Sequence, residues 1–312
     1  MFSSSPPPAE GVRVHWEQLP QPIRHAIEQR IGDRVVRSVT QPGGFSPGLA
    51  ARLTTAGGRD VFVKAVSELA NPDTPGMHRR EAEVVAALPP EAPVPRLLWT
   101  FDEGGWVALG FEAIGGHAPA QPWREDELRF VIAGVHRLHE LLTPSPIASE
   151  TAAHVLATHI KGWRDLQDAG GLDPWPGRNI DRLLALEAAA PEAVAGDTLL
   201  HFDIRADNML IAGDKVYFVD WPWARIGAPF VEWVAFAPSV FMQGGPQPQA
   251  VLRMAGLRVA DDALNAVIAS LAGYFLAYAR RPPPPGIPTV RAFQAAQGEI
   301  TLAWLRERTG WS

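Results

Sequence analysis

Residues 199–211, LLHFDIRADNMLI, decide how the chain is read. An apolar run is interrupted by His201, Asp203, Arg205, Asp207 and Asn208, and then resumes. Polar groups set that tightly between β-prone flanks either face water as an ordinary loop or converge on something bound. The sequence further along favours convergence.

Twelve residues after Asn208, the β-prone run VYFVD ends on Asp220. H-x-D-x-x-x-x-N followed by a strand-end aspartate is the spacing that holds a metal-bound nucleotide beside an acceptor hydroxyl. An aspartate placed like Asp203 accepts the hydroxyl proton. An amide and a carboxylate placed like Asn208 and Asp220 offer the hard oxygen ligands that Mg²⁺ prefers.

Working outward, residues 34–66 read as a β-meander. RVVRSVTQ, LAARLTT and VFVKAV are separated by the turn-forming stretches PGGFSPG and AGGRD. HRREAEVVAAL follows as a helix stopped by Pro89 and Pro90. VPRLLWTF and WVALGFEAI flank DEGG as a hairpin. Past Gly115 the pattern turns helical. In WREDELRFVIAGVHRLHELL, Leu128, Val131, Ile132, Val135, Leu138 and Leu142 share one side, with acids near the start as the helix dipole prefers. Further helices are expected at about 152–166, 181–189, 262–278 and 289–308, with RRPPPPGIP (280–288) as a stiff linker before the last. The expected organisation is a disordered arm (1–11), a β-rich N-lobe with one helix (12–113) and a mainly helical C-lobe (114–312), an α+β fold.

Bulk properties narrow the function. A net charge of -6 over 312 residues argues against a general nucleic-acid binder. The absence of cysteine excludes disulfides and thiolate chemistry. MFSSSPPPAEG lacks the basic and apolar regions of a secretory signal, and no uninterrupted apolar run reaches the roughly 18 residues of a membrane span. A cytoplasmic protein without membrane or nucleic-acid partners is expected.

In these motifs the chain resembles the aminoglycoside phosphotransferase family, small-molecule kinases of the protein-kinase-like two-lobe fold. HFDIRADN matches the family's catalytic loop and Asp220 its metal aspartate. The resemblance implies that Asp203 is the catalytic base, that Asn208 and Asp220 bind Mg²⁺, and that ATP or GTP is the donor. It places the nucleotide loop on GGFSPG, with Gly43, Gly44 and Ser46 as backbone or side-chain donors, and the phosphate-binding lysine on Lys64. The helix glutamate that pairs with this lysine falls on Glu81, with Glu83 as a second register, and the adenine-facing connector on Glu112, Ala113 and Ile114. Arg205 has two readings, neutralising the moving phosphoryl group or a salt bridge within its loop. His201 reads as a brace for the loop rather than a base.

Departures from the family are Phe202, where a small residue, often glycine, is common, and Glu232 in place of a later aspartate. The implied acceptor is a hydroxyl of an aminoglycoside or other antibiotic. A metabolite such as choline, homoserine or a sugar is the alternative, and a silent nucleotide-binding protein a more distant one.

Overall fold

The computed structural model describes residues 7–312. Its N-terminal lobe begins with α1 (Gln21–Ile31), which the sequence reading did not anticipate. Ile23, Ile27 and Ile31 recur every four residues and are buried; Gly32, at φ 78°, ends the helix in the left-handed conformation. Five strands follow: β1 (Val35–Thr40), β2 (Leu49–Thr55), β3 (Asp60–Ser67), β4 (Leu97–Glu103) and β5 (Trp106–Glu112). They form one antiparallel sheet in the order β1-β2-β3-β5-β4, with α2 (Thr74–Ala87) between β3 and β4 in the chain.

The two faces of this sheet have different partners. Val61, Val63 and Ala65 of β3 join the isoleucines of α1 in one apolar cluster. The period-two alternation of a strand then turns Phe62 and Lys64 to the opposite face. Lys64 is therefore aimed at α2 and the second lobe by register alone, paired with Ala50 on β2 and Leu109 on β5.

One position in the sheet tolerates no side chain. Gly110 lies opposite Trp99, and a Cβ added there would sit 2.1–2.5 Å from the indole ring. Gly110→Ala is expected to cost about 1–3 kcal/mol of stability by overpacking. Urea melts should show that loss, whereas Gly115→Ala, with open space around it, should melt like the parent.

The C-lobe opens with α3 (Glu125–Leu141), whose buried Leu128, Val131, Ile132, Val135 and Leu138 lie on the face read from the sequence. The single helix expected over 152–166 is two, α4 (Ala152–Thr158) and α5 (Trp163–Ala169). The break falls at Gly162, which approaches another backbone so closely that a Cβ would meet Gly273 O at 2.1 Å. Next come α6 (Pro174–Arg178), α7 (Ile180–Ala193), β6 (Thr198–Leu200), the hairpin β7 (Met209–Ala212) with β8 (Lys215–Phe218), and β9 (Arg225–Gly227) against β6. The chain ends in α8 (Phe230–Met242), α9 (Pro248–Met254), α10 (Asp261–Ala279) and α11 (Val290–Thr309). By length and composition α10 could cross a bilayer, but more than half of its apolar window is buried, and it packs on α7 and α11.

The disordered arm needs correcting for the residues described. Residues 1–6 lie outside the described residues. Ala9 and Gly11 exchange backbone hydrogen bonds with Gly44, and Val12 and Val14 with Gly48, in the parallel sense. The arm continues onto the other lobe, because Val12 N–H donates to Gly286 O (2.8 Å) and Thr289 Oγ1 donates to Glu10 O (3.0 Å). The 280–288 segment, expected as a plain linker, thus anchors the glycine-rich loop: Gly286 packs on Pro47, and Asn71 donates to Pro285 O. Backbone donors satisfied by partners so distant in sequence leave no local signal.

Candidate active site

Lys64 is the meeting point of both lobes. Its ammonium donates to Glu81 Oε1 and Oε2, each at 2.8 Å, and to Asp220 Oδ1 at 2.9 Å. α2 delivers Glu81 on its buried side, which selects the Glu81 register; the side chain of Glu83 is largely exposed and pairs with Arg80. Burial works against the ammonium charge, but Asp220 and Glu81 more than offset it and hold the Lys64 pKa above its usual value. One ammonium cannot satisfy two buried carboxylates equally. Asp220 is pulled down to about 2 by Lys64 against the opposing effect of burial. Glu81, more deeply buried, is raised by desolvation.

The 201–208 segment folds around its own polar groups. His201 donates from Nε2 to Val219 O (2.9 Å) and accepts the Asp203 N–H at Nδ1 (3.3 Å), a pattern that needs the neutral ring. Burial lowers its pKa accordingly. Asn208 Nδ2 donates to Asp203 O (2.8 Å) and Oδ2 (3.0 Å), and Arg205 donates to Asp203 Oδ1 (3.0 Å). Both oxygens of Asp203 are therefore held. Its carboxyl is pushed up to about 7 by burial, against the opposing charge of Arg205.

Arg205 also makes a two-pronged pair with Asp207, at 3.0 and 2.8 Å, at the edge of the cleft between the lobes. Burial opposes the guanidinium charge of Arg205, and Asp203 with Asp207 outweighs it. The salt-bridge reading of Arg205 is realised in this arrangement.

Two residues here adopt a conformation that side chains resist. Phe202 has φ 68° and Asp220 φ 71°. The left-handed region costs about 1–2 kcal/mol for an ordinary residue, which explains why a glycine suits the position of Phe202. The conformation is held from behind. Phe202 N–H donates to Glu232 Oε1 (2.6 Å), and the other oxygen, Oε2, lies 2.7 Å from His139 Nε2. Glu232 on α8 and His139 on α3 are thus braces for the 201–208 loop, and His139 carried no sequence signal beyond its place on a buried helix face.

Between the lobes lies a cleft of about 450 Å³. Gly43, Gly44, Ser46, Lys64, Glu81, Glu112, Ala113, Ile114, Asn208 and Asp220 all line it. Asp203 and Arg205 do not; they stand beyond Asn208, off the lined cleft. The connector is polar only at its edge, where Glu112 pairs with Arg96 at 2.9 Å. Arg13, inside the arm, was missed. Its guanidinium donates to the carbonyls of Gln41, Gly43, Gly44 and Ser46, and faces Asp220 and Asp207 across the cleft.

The donor set suits a hard divalent cation. The amide nitrogen of Asn208 is committed to Asp203, which leaves Oδ1 as the free end, and Asp220 uses Oδ1 on Lys64 and keeps Oδ2. Two oxygens on one cleft fit Mg²⁺, which takes few protein ligands and completes its octahedron with water and phosphate oxygens. Among the described residues, no group of three or more His, Asp or Glu forms a protein-only cage.

The model of a phosphotransferase enzyme family matches residues 42–271, which include the glycine-rich loop, Lys64, the catalytic loop and Asp220. The chain belongs to this family. No curated protein matches it in sequence. Solved phosphotransferases of the same fold are similar over nearly their whole length. An aminoglycoside phosphotransferase, APH(4)-Ia, in complex with AMP-PNP and hygromycin B is 16% identical, with 94% of this chain and 100% of that one covered and a TM-score of 0.64. A choline kinase from Streptococcus pneumoniae is 14% identical, covering 91% and 98%, at 0.60. An aminoglycoside phosphotransferase from Alicyclobacillus acidocaldarius is 15% identical, covering 88% and 92%, at 0.55. The fold expected of a phosphotransferase is the fold observed, a five-stranded sheet lobe over a helical lobe.

Proposed function

We propose that this phosphotransferase moves the γ-phosphoryl group of Mg²⁺-bound ATP, or GTP, to a hydroxyl of a small molecule in the cytoplasm. The observation that carries the reading is the Lys64 ammonium bridging Glu81 and Asp220 at 2.8 and 2.9 Å, on the same cleft as Asn208. Lys64, oriented by Glu81, binds donor phosphate oxygens. Asn208 and Asp220 would hold Mg²⁺, whose charge, when bound, offsets that of the phosphates. Asp203 orients the acceptor hydroxyl and takes its proton, and Arg205 keeps that carboxylate in place. The Gly43 backbone N–H, with Ser46, covers the phosphates, the Gly44 N–H being committed to Ala9 O, and Glu112, Ala113 and Ile114 receive the base. Positioning and charge neutralisation supply most of the effect, as expected for phosphoryl transfer.

A thermal-shift titration with ATP and GTP, with and without Mg²⁺, tests the donor half. A Mg²⁺-dependent rise in melting temperature is expected, because a ligand that binds the folded state stabilises it. No rise with either nucleotide would remove the reading. Arg13→Ala should weaken Mg²⁺-ATP binding about ten-fold by calorimetry, since the glycine-rich loop loses a charged donor shared by four carbonyls. An unchanged affinity would mean the loop is set without the arm.

For the acceptor, the family's name suggests an aminoglycoside or other antibiotic, with a metabolite as the second candidate. The charge of the wall beyond Asp203 bears on that choice.

A further inference from the structure

The groups past Asp203 are aromatic rings and arginines. The Arg205 guanidinium, besides its two carboxylates, lies 5.1 Å from the ring centre of Phe45 and 5.4 Å from that of Phe293. Those rings meet edge to face at 5.0 Å, so the tip of the glycine-rich loop closes onto the first turn of α11. On α10, Tyr274 and Tyr278 stand one turn apart with ring centres 4.4 Å from each other. Arg291 shares the first turn of α11 with Phe293 and lies 5.9 Å from the ring centre of Tyr278, so the tyrosines and arginines form one wall with the Arg205 that holds Asp203. Neither phenol oxygen has a protein hydrogen-bond partner among the described residues.

The arginines outnumber the acids that answer them. Arg281 lies 3.9 Å over the Tyr278 ring and pairs with Asp165 at 3.3 Å, both side chains about half exposed. Arg291 donates to Pro282 O (2.9 Å) and Gln294 Oε1 (2.8 Å) and has no carboxylate partner among the described residues. Arg280 is likewise held only by the carbonyls of Gly170 and Gly171. A polyamine entering here would set ammonium groups against guanidinium groups, a like-charge contact that disfavours binding. Tyrosine faces attract cations in general, but the face of Tyr278 is already occupied by Arg281.

We propose that the acceptor is a neutral or anionic hydroxyl compound without ammonium groups, its flat apolar body against Tyr274 and its hydrogen-bond-accepting or anionic end toward Arg291 and Arg281. This rests on the reading of Asp203 as the base. In the transfer, the acceptor oxygen bonds to the γ-phosphorus, the bond from that phosphorus to the β–γ bridging oxygen breaks, ADP leaves with the electron pair, and the hydroxyl proton passes to Asp203. Aminoglycosides and choline both fall outside this class.

The test uses the full chain with Mg²⁺ and AMP-PNP, titrated by calorimetry or ligand-detected NMR with three alcohols of one shape. These are para-hydroxymethylbenzoate, para-methylbenzyl alcohol and para-aminomethylbenzyl alcohol, with hygromycin B as the polyamine. The carboxylate is expected to bind tightest, and both it and the neutral alcohol about ten-fold or more tighter than the ammonium compound. Arg291→Gln should erase the advantage of the carboxylate over the neutral alcohol, with its ligand-free melting temperature reporting that it is folded. Tighter binding of the ammonium compound or of hygromycin B overturns the proposal, and so does binding of none of the three alcohols. A Mg²⁺-dependent ATP shift persisting in either case would leave the phosphotransferase reading standing, so the two fail separately.

Discussion

Asp203→Asn is expected to bind Mg²⁺-ATP with nearly unchanged affinity and to turn over about 10²–10⁴-fold more slowly, the range that one positioned base contributes. The substitution keeps shape and removes the proton acceptor. The separation is expected because Asp203 does not line the cleft between the lobes, whereas its neighbour Asn208 does. The amide also keeps an oxygen for Arg205, now a weaker neutral partner in place of the 3.0 Å ion pair. Single-turnover rates with saturating donor, set beside the donor's dissociation constant, check both halves. Near-parental turnover would remove Asp203 from the role of base. A parallel loss of donor affinity would mean that the residue acts by holding Asn208.

The second large effect concerns stability. Lys64→Met removes the only ammonium between Glu81 and Asp220 and leaves two carboxylates facing each other in a largely buried place. Removing one partner of a buried charge cluster costs about 3–5 kcal/mol, because the remaining charges lose their compensation. Nucleotide binding should disappear with it. Adding Glu81→Gln to Lys64→Met should recover part of the stability and none of the binding, since one buried charge is then gone. Urea melts of the parent, single and double variants decide this. A single variant as stable as the parent would show the cluster to be neutral for folding, its role confined to the ligand.

The sequence exposed the parts of the site that sit close together along the chain. His201, Asp203 and Asn208 lie within eight residues, and Lys64 follows from strand alternation after a glycine-rich turn. Elements with long regular patterns, such as α3, were legible for the same reason. What escaped was carried by distant partners. α1 has only three isoleucines and one alanine among its eleven residues and owes its place to the sheet face it covers. α8 is apolar on nearly every side, so its period is blurred, and its one informative residue is the buried Glu232. The break between α4 and α5 depends on the closeness of Gly273, more than a hundred residues away. Arg13 was lost because a Pro- and Ser-rich start reads as unstructured, and nothing local marks an arginine that four loop carbonyls will surround.

The arm also bears on the order of assembly. A chain made from its N-terminus can close the carbonyl ring around Arg13 once the glycine-rich loop has emerged. The ties to Gly286, Thr289 and Phe293 wait until that far later stretch has left the ribosome. The roof of the cleft between the lobes therefore becomes rigid well after the sheet to which it belongs. A nascent chain halted before residue 286 would display a complete sheet with that roof still unfastened.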